Sequence, residues 1–131
     1  MTDFQGRKIY KGKAEGVALV TAVDISFYGG VDPETGEVVE KDHPLEGKSV
    51  AGKVLVMPSG KGSTVGSYVL YALKKADKAP LAIINRETDP VIAVGSIISE
   101  IPTVDNIEIE KIKSGQRVEV DADLGIVSIH E

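Results

Sequence analysis

The chain has 131 residues, about the length of one domain, and its 42% hydrophobic and 27% charged residues are typical of an ordinary globular protein. Its formal net charge of −5 argues against a nucleic-acid partner, because binding to phosphate backbones needs a clustered basic surface. No apolar run approaches the ~20 residues of a membrane span, and the N-terminal segment lacks the apolar stretch of a signal peptide, so we expect a cytoplasmic protein with no membrane partner.

The first part of the chain is predicted to form short strands followed by a long loop. Residues 8–13 and 17–21 have the composition of strands. Residues 24–53 are rich in turn-forming pairs, because glycine supports positive φ and proline fixes φ. These pairs are Gly29-Gly30, Asp32-Pro33 and Thr35-Gly36. A loop of this length inside a compact domain is often functional, although a surface excursion with small hairpins fits the same residues.

The middle of the chain alternates strand and helix patterns. Residues 53–57 and 81–85 are short apolar runs typical of buried strands. Between them, residues 67–76 have a helix-forming composition with apolar residues at i, i+4 and i+7. A short apolar helix at 91–101 and a strand at 101–104 are predicted next.

The C-terminal segment, residues 116–130, alternates apolar and polar residues on both sides of Asp123-Leu124-Gly125, which predicts a hairpin. With β segments at both ends and a β–α–β middle, the predicted fold class is mixed α/β. If the middle strands are parallel, the crossover between them is right-handed.

The loop before the first predicted helix reads PSGKGSTVG and is rich in glycine and small hydroxyl residues. Two phosphate-binding motifs nearly fit it. The P-loop pattern fails because Gly60-Lys61 is followed by Gly62 instead of serine or threonine. The dinucleotide fingerprint fails because its third glycine comes one residue late, at Gly66. Nucleotide binding is therefore disfavoured.

The same loop leads into a helix start, where unpaired N–H groups and the positive end of the helix dipole favour an anion. Thr64 and Ser67 are typical capping residues, and a capping role is favoured for both. Ser63 is the candidate for chemistry, but a serine hydroxyl is a weak nucleophile and base until positive potential, here from Lys61, stabilises its alkoxide. A serine hydrolase is disfavoured, since no histidine is placed by the sequence to act as its base.

The sequence contains no cysteine and only two histidines, His43 and His130. This composition excludes disulfides, thiol nucleophiles and thiolate-held clusters. Neither histidine belongs to a cluster with metal-ligand spacing. We therefore expect no metal or cofactor to be bound by this chain alone.

Four segments, in this order, are similar to a known family: ISFYGGVDPETGEVV, HPLEGKSVAGKVLVMPSGKGSTVGSYVLY, APLAIIN and DPVIAVGSIISEIPTVD. Together, over approximately residues 17–105, they resemble the small subunit, or swivel domain, of the aconitase X family. The resemblance implies a swivelling β/β/α domain as in the mobile domain of aconitases, here a single domain over residues 1–131. A free chain of this length resembles the archaeal two-subunit form of that family.

The resemblance also implies a hydro-lyase. The archaeal two-chain members dehydrate (R)-5-phosphomevalonate to trans-anhydromevalonate 5-phosphate in a modified mevalonate route to isoprenoids. The family's iron–sulfur cluster is held by cysteines of the large subunit, where it would act as a Lewis acid on the hydroxyl that leaves. The expected partners are thus a large aconitase-like subunit and a phosphorylated hydroxy-acid substrate, and neither subunit is expected to be active alone.

The family's proton acceptor is a serine in a Gly-Ser loop, and the matching residue here is Ser63. Lys61, Gly62 and Thr64 are the expected substrate-binding residues, with the N–H groups of residues 62–65 stabilising the alkoxide or a substrate anion. The turn at residues 29–33 is a second candidate for the wall of the site. Asp32 within that turn is expected only to shape it.

Two further hypotheses remain open at the level of sequence. One is a related hydroxy-acid dehydratase, such as the cis-3-hydroxyproline enzymes of the bacterial relatives. The other is a non-catalytic module that binds an anion or regulates a partner. For an interface with the large subunit, Phe27, Tyr28 and Tyr68 are candidates, although aromatic residues more often lie in a core.

Overall fold

The computed structural model describes all residues from Met1 to Glu131. Its strands are β1 (Thr2–Gln5), β2 (Arg7–Tyr10), β3 (Lys13–Val20), β4 (Val54–Met57), β5 (Ala82–Asn85), β6 (Thr103–Asp105), β7 (Arg117–Asp121) and β8 (Ile126–His130). Its helices are the single kinked turn α1 (Phe27–Gly30), α2 (Gly66–Lys75), α3 (Pro90–Ser99) and a 3-10 turn at Ile109–Lys111. None of these helices has the length and apolarity needed to cross a membrane.

The eight strands form one mixed sheet in the order β1-β8-β7-β3-β4-β5-β6-β2. The central strands β3, β4, β5 and β6 are parallel to one another. The flanking pairs β1–β8, β8–β7, β7–β3 and β2–β6 are antiparallel. The β–α–β middle and the C-terminal hairpin predicted from the sequence are therefore present, and the mixed α/β fold class is confirmed.

The two edge strands of this sheet are consecutive in the chain and are joined by Gly6 alone. The Gly6 N–H donates to the carbonyl of Gly125 at 2.7 Å. A Cβ atom at Gly6 would lie only 2.3 Å from the carbonyl oxygen of Asp105, so only glycine fits there. The sheet curls until its edges meet at Gly6, as in a barrel that protects its edges.

Alternating side chains of the sheet fill two separate apolar clusters, because successive residues of a strand point to opposite faces. On β4, Val54 and Val56 point into the cluster enclosed by the strands, while Leu55 and Met57 point toward the helices. The enclosed cluster includes Ala18, Ile84, Val104, Val118, Val127 and Ile129. The second cluster, between the sheet and α2 and α3, includes Phe27, Leu70, Leu73, Ile83 and Ile92.

The N-terminal part differs from the sequence-based expectation in its boundaries. β1 was not predicted, and the predicted strand at 8–13 is interrupted after Tyr10, where Gly12 has a φ of +124°. The predicted strand at 17–21 is the second half of the longer β3. Residues 31–53 form a long loop with only isolated bridges, as predicted, and these bridges join Val31 to Val38 and Glu37 to Ser49.

Candidate functional site

The candidate site lies at the carboxyl ends of the central parallel strands, where ligands commonly bind in open α/β sheets. The loop at residues 58–65 follows β4 and leads into α2. Gly60 in this loop forms a parallel bridge with Ile25, which follows β3, and the Lys61 N–H donates to the Ile25 carbonyl at 3.2 Å. These backbone contacts fix the loop beside the segment that carries α1.

Ser63 is exposed and stands immediately before the first turn of α2. Its Oγ accepts a hydrogen bond from the Val65 N–H at 3.2 Å, and its carbonyl accepts one from Gly66 at 2.9 Å. The N–H groups of Gly62, Ser63 and Thr64 donate to no protein acceptor. Of the four N–H groups expected to be available, that of Val65 is thus already used, and the three before it remain free to donate to an anion.

Neither of the two predicted capping residues caps α2. The N-cap position is Val65, and no side chain caps it. Ser67 lies inside the helix, is buried, and donates its hydroxyl proton to the Val91 carbonyl of α3 at 2.7 Å. Thr64 is exposed and its side chain makes no hydrogen bond within the protein. The capping prediction was wrong because tertiary packing of α2 against α3 uses the Ser67 hydroxyl instead.

Lys61 forms an ion pair with Glu40, and their Nζ and Oε2 atoms are 2.8 Å apart. The other carboxylate oxygen, Oε1, accepts the N–H of Ser26 at 3.1 Å. Partial burial acts to raise the pKa of Glu40, but the hydrogen bonds from Lys61 and Ser26 outweigh it, and the pKa lies below its ordinary value. Glu40 is therefore ionised at neutral pH, and part of the Lys61 charge is compensated.

A cavity of about 430 Å³ opens beside this ion pair. It is lined by Ser26, Tyr28, Gly29, Gly30, Glu40, Lys61 and Gly62. Gly62 has a φ of +88°, and a Cβ atom there would lie 2.6 Å from the Ser26 Oγ. The glycine is thus needed both for its backbone conformation and for the close approach of the two segments.

Within the turn at residues 29–33, only Gly29 and Gly30 line this cavity. Asp32 points elsewhere, because its Oδ1 accepts the N–H of Glu34 at 2.8 Å. It closes a local turn, as expected for this residue type.

Asp89 supports the Ser63 loop from the other side. Its Oδ1 accepts the Gly60 N–H at 3.0 Å, and the same carboxylate caps α3 by accepting the N–H groups of Val91 and Ile92. A second, polar cavity of about 500 Å³ lies here and is lined by Asp24, Ser59, Arg86, Glu87, Thr88 and Asp89 together with two prolines.

Three residues of this arrangement were not identified from the sequence: Ser26, Glu40 and Asp89. An Asp-Pro pair before an apolar run is a helix-start signal, so Asp89 was detectable as a cap. Its bond to Gly60, and the approach of Ser26 and Glu40 to the loop, depend on tertiary contacts that no local pattern contains.

The two histidines do not form part of the site. His43 is buried; its Nε2 faces the carbonyls of Val23 and Asp24, and its Nδ1 accepts the Leu45 N–H at 3.0 Å. His130 pairs with Glu119 on the β7–β8 hairpin. No group of three or more histidine, cysteine, aspartate or glutamate residues in the chain is arranged to hold a metal ion.

The three aromatic residues considered for an interface differ in their exposure to solvent. Phe27 is fully buried and belongs to the core beneath the helices, so it is not available to an interface, and the core alternative holds for it. Tyr28 is 57% exposed and Tyr68 is 68% exposed. Both remain candidates for contact with a partner.

Comparison with known proteins finds a matching family model and similar proteins. A family model for the aconitase X swivel domain matches residues 3–129. The phosphomevalonate dehydratase small subunit of Thermococcus kodakarensis is 57% identical over 127 residues, which cover 97% of this chain and 96% of that protein. The protein of the same name from Methanosarcina mazei is 57% identical over 129 residues, covering 96% of this chain and 90% of its own.

A solved structure agrees with the fold. The crystal structure of the holo form of aconitase X from Thermococcus kodakaraensis contains a chain that superposes with a TM-score of 0.98 at 55% identity. The match covers 100% of both chains. The architecture described above is therefore that of a swivel domain of this kind.

Proposed function

This chain belongs to the aconitase X swivel-domain family, and from that premise we propose that it is the small subunit of a two-chain hydro-lyase. The proposed reaction is dehydration of (R)-5-phosphomevalonate to trans-anhydromevalonate 5-phosphate, a step toward isoprenoids in the cytoplasm. The names of the relatives and their nearly full-length similarity support the reaction class and the division into two subunits. The single observation that carries the role of this chain is the exposed Ser63 hydroxyl at a helix start with unpaired N–H groups.

Ser63 is the proposed proton acceptor. In the reaction a base removes a proton from the carbon next to the substrate carboxylate, the hydroxyl on the neighbouring carbon departs, and a carbon–carbon double bond forms. The Val65 N–H, 3.2 Å from the Ser63 Oγ, stabilises negative charge on that oxygen. The positive end of the α2 dipole acts in the same direction. Together these groups favour the alkoxide that the serine needs to accept a proton.

Lys61, Gly62 and Thr64 are the proposed substrate contacts. The N–H groups of Gly62 and Thr64 are unpaired and lie on either side of Ser63. Lys61 supplies the cation of the adjacent cavity. An anionic group of the substrate, a carboxylate or a phosphate, matches these donors in charge and hydrogen bonding.

The family implies an iron–sulfur cluster, and the residues of this chain do not fit it. The chain has no cysteine, and no cluster of its histidines and carboxylates is arranged for a metal. We assign the cluster to the large subunit. That subunit then lies over the exposed Ser63 loop, and movement of a swivelling domain relative to it gates access of the substrate.

The experiment is an anaerobic dehydration assay with (R)-5-phosphomevalonate on the complex reconstituted from this chain and its large subunit. Ser63→Ala is compared with wild type and with Ser59→Ala, a control in the same loop whose hydroxyl makes no hydrogen bond. We expect Ser63→Ala to bind the large subunit normally and to lose at least about 100-fold in kcat, the lower end of general-base contributions.

Other outcomes of this assay discriminate the alternatives. Equal activity of Ser63→Ala and wild type would place the base elsewhere. An intact complex with its cluster but no turnover would overturn the substrate, and cis-3-hydroxyproline would be assayed next. A chain that never associates with a large subunit would favour a non-catalytic anion-binding module.

A further inference from the structure

Glu40 connects the Ser63 loop to two other segments of the chain. Its Oε2 lies 2.8 Å from the Lys61 Nζ, and its Oε1 accepts the Ser26 N–H at 3.1 Å. Its own backbone N–H donates to the Gly30 carbonyl at 3.1 Å. Glu40 thereby links the Lys61 side chain to Ser26 through its carboxylate and to the Gly29-Gly30 turn through its backbone.

The ion pair with Glu40 restricts the Lys61 side chain, which would otherwise move freely in solvent. Lysine has a flexible four-carbon stem, and the Lys61 side chain is 43% exposed, whereas that of Glu40 is only 22% exposed. Partly exposed ion pairs contribute little to stability. The main effect of the Glu40 carboxylate on Lys61 is therefore geometric.

The ammonium held in this way lies in the wall of the cavity of about 430 Å³ described above. Lys61 is the only cation among its lining residues, and Glu40 is the only anion. Three of the other lining residues, Gly29, Gly30 and Gly62, bring backbone but no side chain to the wall. A lysine ammonium has three N–H donors; Glu40 takes one, and the others remain for a second anion.

On the basis of the proposed function, we propose that Glu40 is a positioning residue for this site. It fixes the Lys61 ammonium in the cavity wall, where the ammonium receives an anionic group of the substrate, either its carboxylate or its phosphate. Glu40 acts through Lys61 and does not touch the reacting atoms.

The first test uses the full chain and does not depend on any substrate. The rate of acylation of Lys61 by an amine-reactive reagent is measured by mass spectrometry in wild type, Glu40→Gln and Glu34→Gln. Glutamine keeps an oxygen acceptor for the Ser26 N–H but removes the charge that holds Lys61. Glu34 is an exposed carboxylate of the same loop whose side chain makes no hydrogen bond or ion pair, so its variant controls for loss of charge.

We expect several-fold faster acylation of Lys61 in Glu40→Gln, with no change in Glu34→Gln and no change at Lys48 in any variant. Equal Lys61 rates in all three proteins would overturn the positioning role. Urea unfolding of each variant establishes that the fold is retained, and Glu40→Asp, which keeps the charge, is the second variant if Glu40→Gln does not fold. With Glu40→Asp, a Lys61 acylation rate close to that of wild type supports the positioning role. A Lys61 rate as fast as in the urea-unfolded chain overturns it.

The second test uses the reconstituted complex and a double-mutant cycle. If Glu40 acts through Lys61, Glu40→Gln raises KM more than it lowers kcat, and the double variant with Lys61→Met is no worse than Lys61→Met alone. Additive losses would overturn the link to substrate binding. A larger KM effect of Lys61→Met on phosphomevalonate than on unphosphorylated mevalonate identifies the phosphate as the bound group, and an equal effect identifies the carboxylate.

Failure of this inference and failure of the proposed function give different results. A wild-type complex that does not turn over phosphomevalonate overturns the proposed function. The claim that Lys61 receives an anionic group of the substrate then falls with it. The acylation rates then still decide whether Glu40 positions Lys61.

Discussion

Asp89 and Gly60 are joined by a hydrogen bond that links the start of one helix to the loop before another. The Asp89 Oδ1 lies 3.0 Å from the Gly60 nitrogen and at the same time accepts the N–H of Ile92 in the first turn of α3. A Cβ atom at Gly60 would lie 2.8 Å from this oxygen, so the contact leaves no room for a side chain. The position of the Ser63 loop thus depends on the cap of α3.

Asp89→Ala should therefore have two effects on stability. Loss of the cap costs about 1 kcal/mol, and the buried Gly60 N–H left without an acceptor costs about 1–3 kcal/mol. We expect the free energy of unfolding in urea to fall by about 2–4 kcal/mol in total. Asp89→Asn keeps an acceptor and should lose less, while Asp3→Ala, at an exposed residue whose side chain makes no hydrogen bond, should change nothing. A fall of only about 1 kcal/mol in the free energy of unfolding, the cost of the lost cap alone, would show that the hydrogen bond to Gly60 contributes little.

Gly62→Ala should combine backbone strain with a steric clash. The φ of +88° costs about 1–2 kcal/mol for a residue with a Cβ atom, and the new Cβ would meet the Ser26 Oγ at 2.6 Å. Gly47 has the same φ of +88° with open space around it, so Gly47→Ala measures the strain alone. We expect Gly62→Ala to unfold at lower urea than Gly47→Ala, and Ser26→Ala to restore part of the difference. Equal unfolding of the two alanine variants would contradict the close packing of Ser26 on the loop.

The sequence predicted the parallel middle of the fold well and its first strand poorly. The sequence patterns identified β4, α2, β5 and α3, because apolar periodicity and the turn-forming residues that bound each segment agree there. β1 reads TDFQ, in which Phe4 is the one apolar residue, because an edge strand buries little. Its place in the sheet depends on pairing with β8, more than a hundred residues away in the chain, which no local window reports.

The site shows the same division between local and tertiary information. The Ser63 loop could be predicted because glycines and hydroxyl residues before a helix are a local signal. The role of Glu40 could not be predicted, because its ion pair with Lys61 forms only after the long loop folds back onto α1 and the segment after β4. Ser67 was misassigned for a related reason: its sequence position fits a cap, while the packing of α3 decides its partner.

The buried carboxylate of Asp105 should make stability depend on pH. Burial acts to raise the pKa of Asp105, but hydrogen bonds from Arg7 and Thr88 outweigh it and hold the pKa below its ordinary value. A lowered pKa in the folded state means that the contribution is fully present above the unfolded value of about 3.9 and is lost as the pH falls through the lower folded value. We expect wild type to lose stability below about pH 4 more steeply than Asp105→Asn, when urea midpoints are followed from pH 7 to pH 2. Parallel curves for the two proteins would show that Asp105 is not a source of the acid sensitivity.

Tyr28 and Tyr68 should be anchors for the large subunit. Both are more than half exposed, and both lie beside the loop that carries Ser63, since Tyr28 lines the adjacent cavity and Tyr68 stands in the first turn of α2. Aromatic side chains at the centre of an interface commonly contribute about 2 kcal/mol or more on truncation.

We expect Tyr68→Ala and Tyr28→Ala each to weaken association with the large subunit by at least about tenfold, which corresponds to about 1.4 kcal/mol, in a titration followed by calorimetry. The matched control is Leu124→Ala. Leu124 is 64% exposed in the β7–β8 turn, where the neighbouring Asp123 accepts the N–H of Gly12 before β3, so it lies at the opposite end of the strands from Ser63. Because the proposed function has the large subunit complete the site at Ser63, this control should bind normally. Normal binding by both tyrosine variants together with weakened binding by Leu124→Ala would place the large subunit at the wrong end of the sheet for a shared active site, and the role of Ser63 would fall with it.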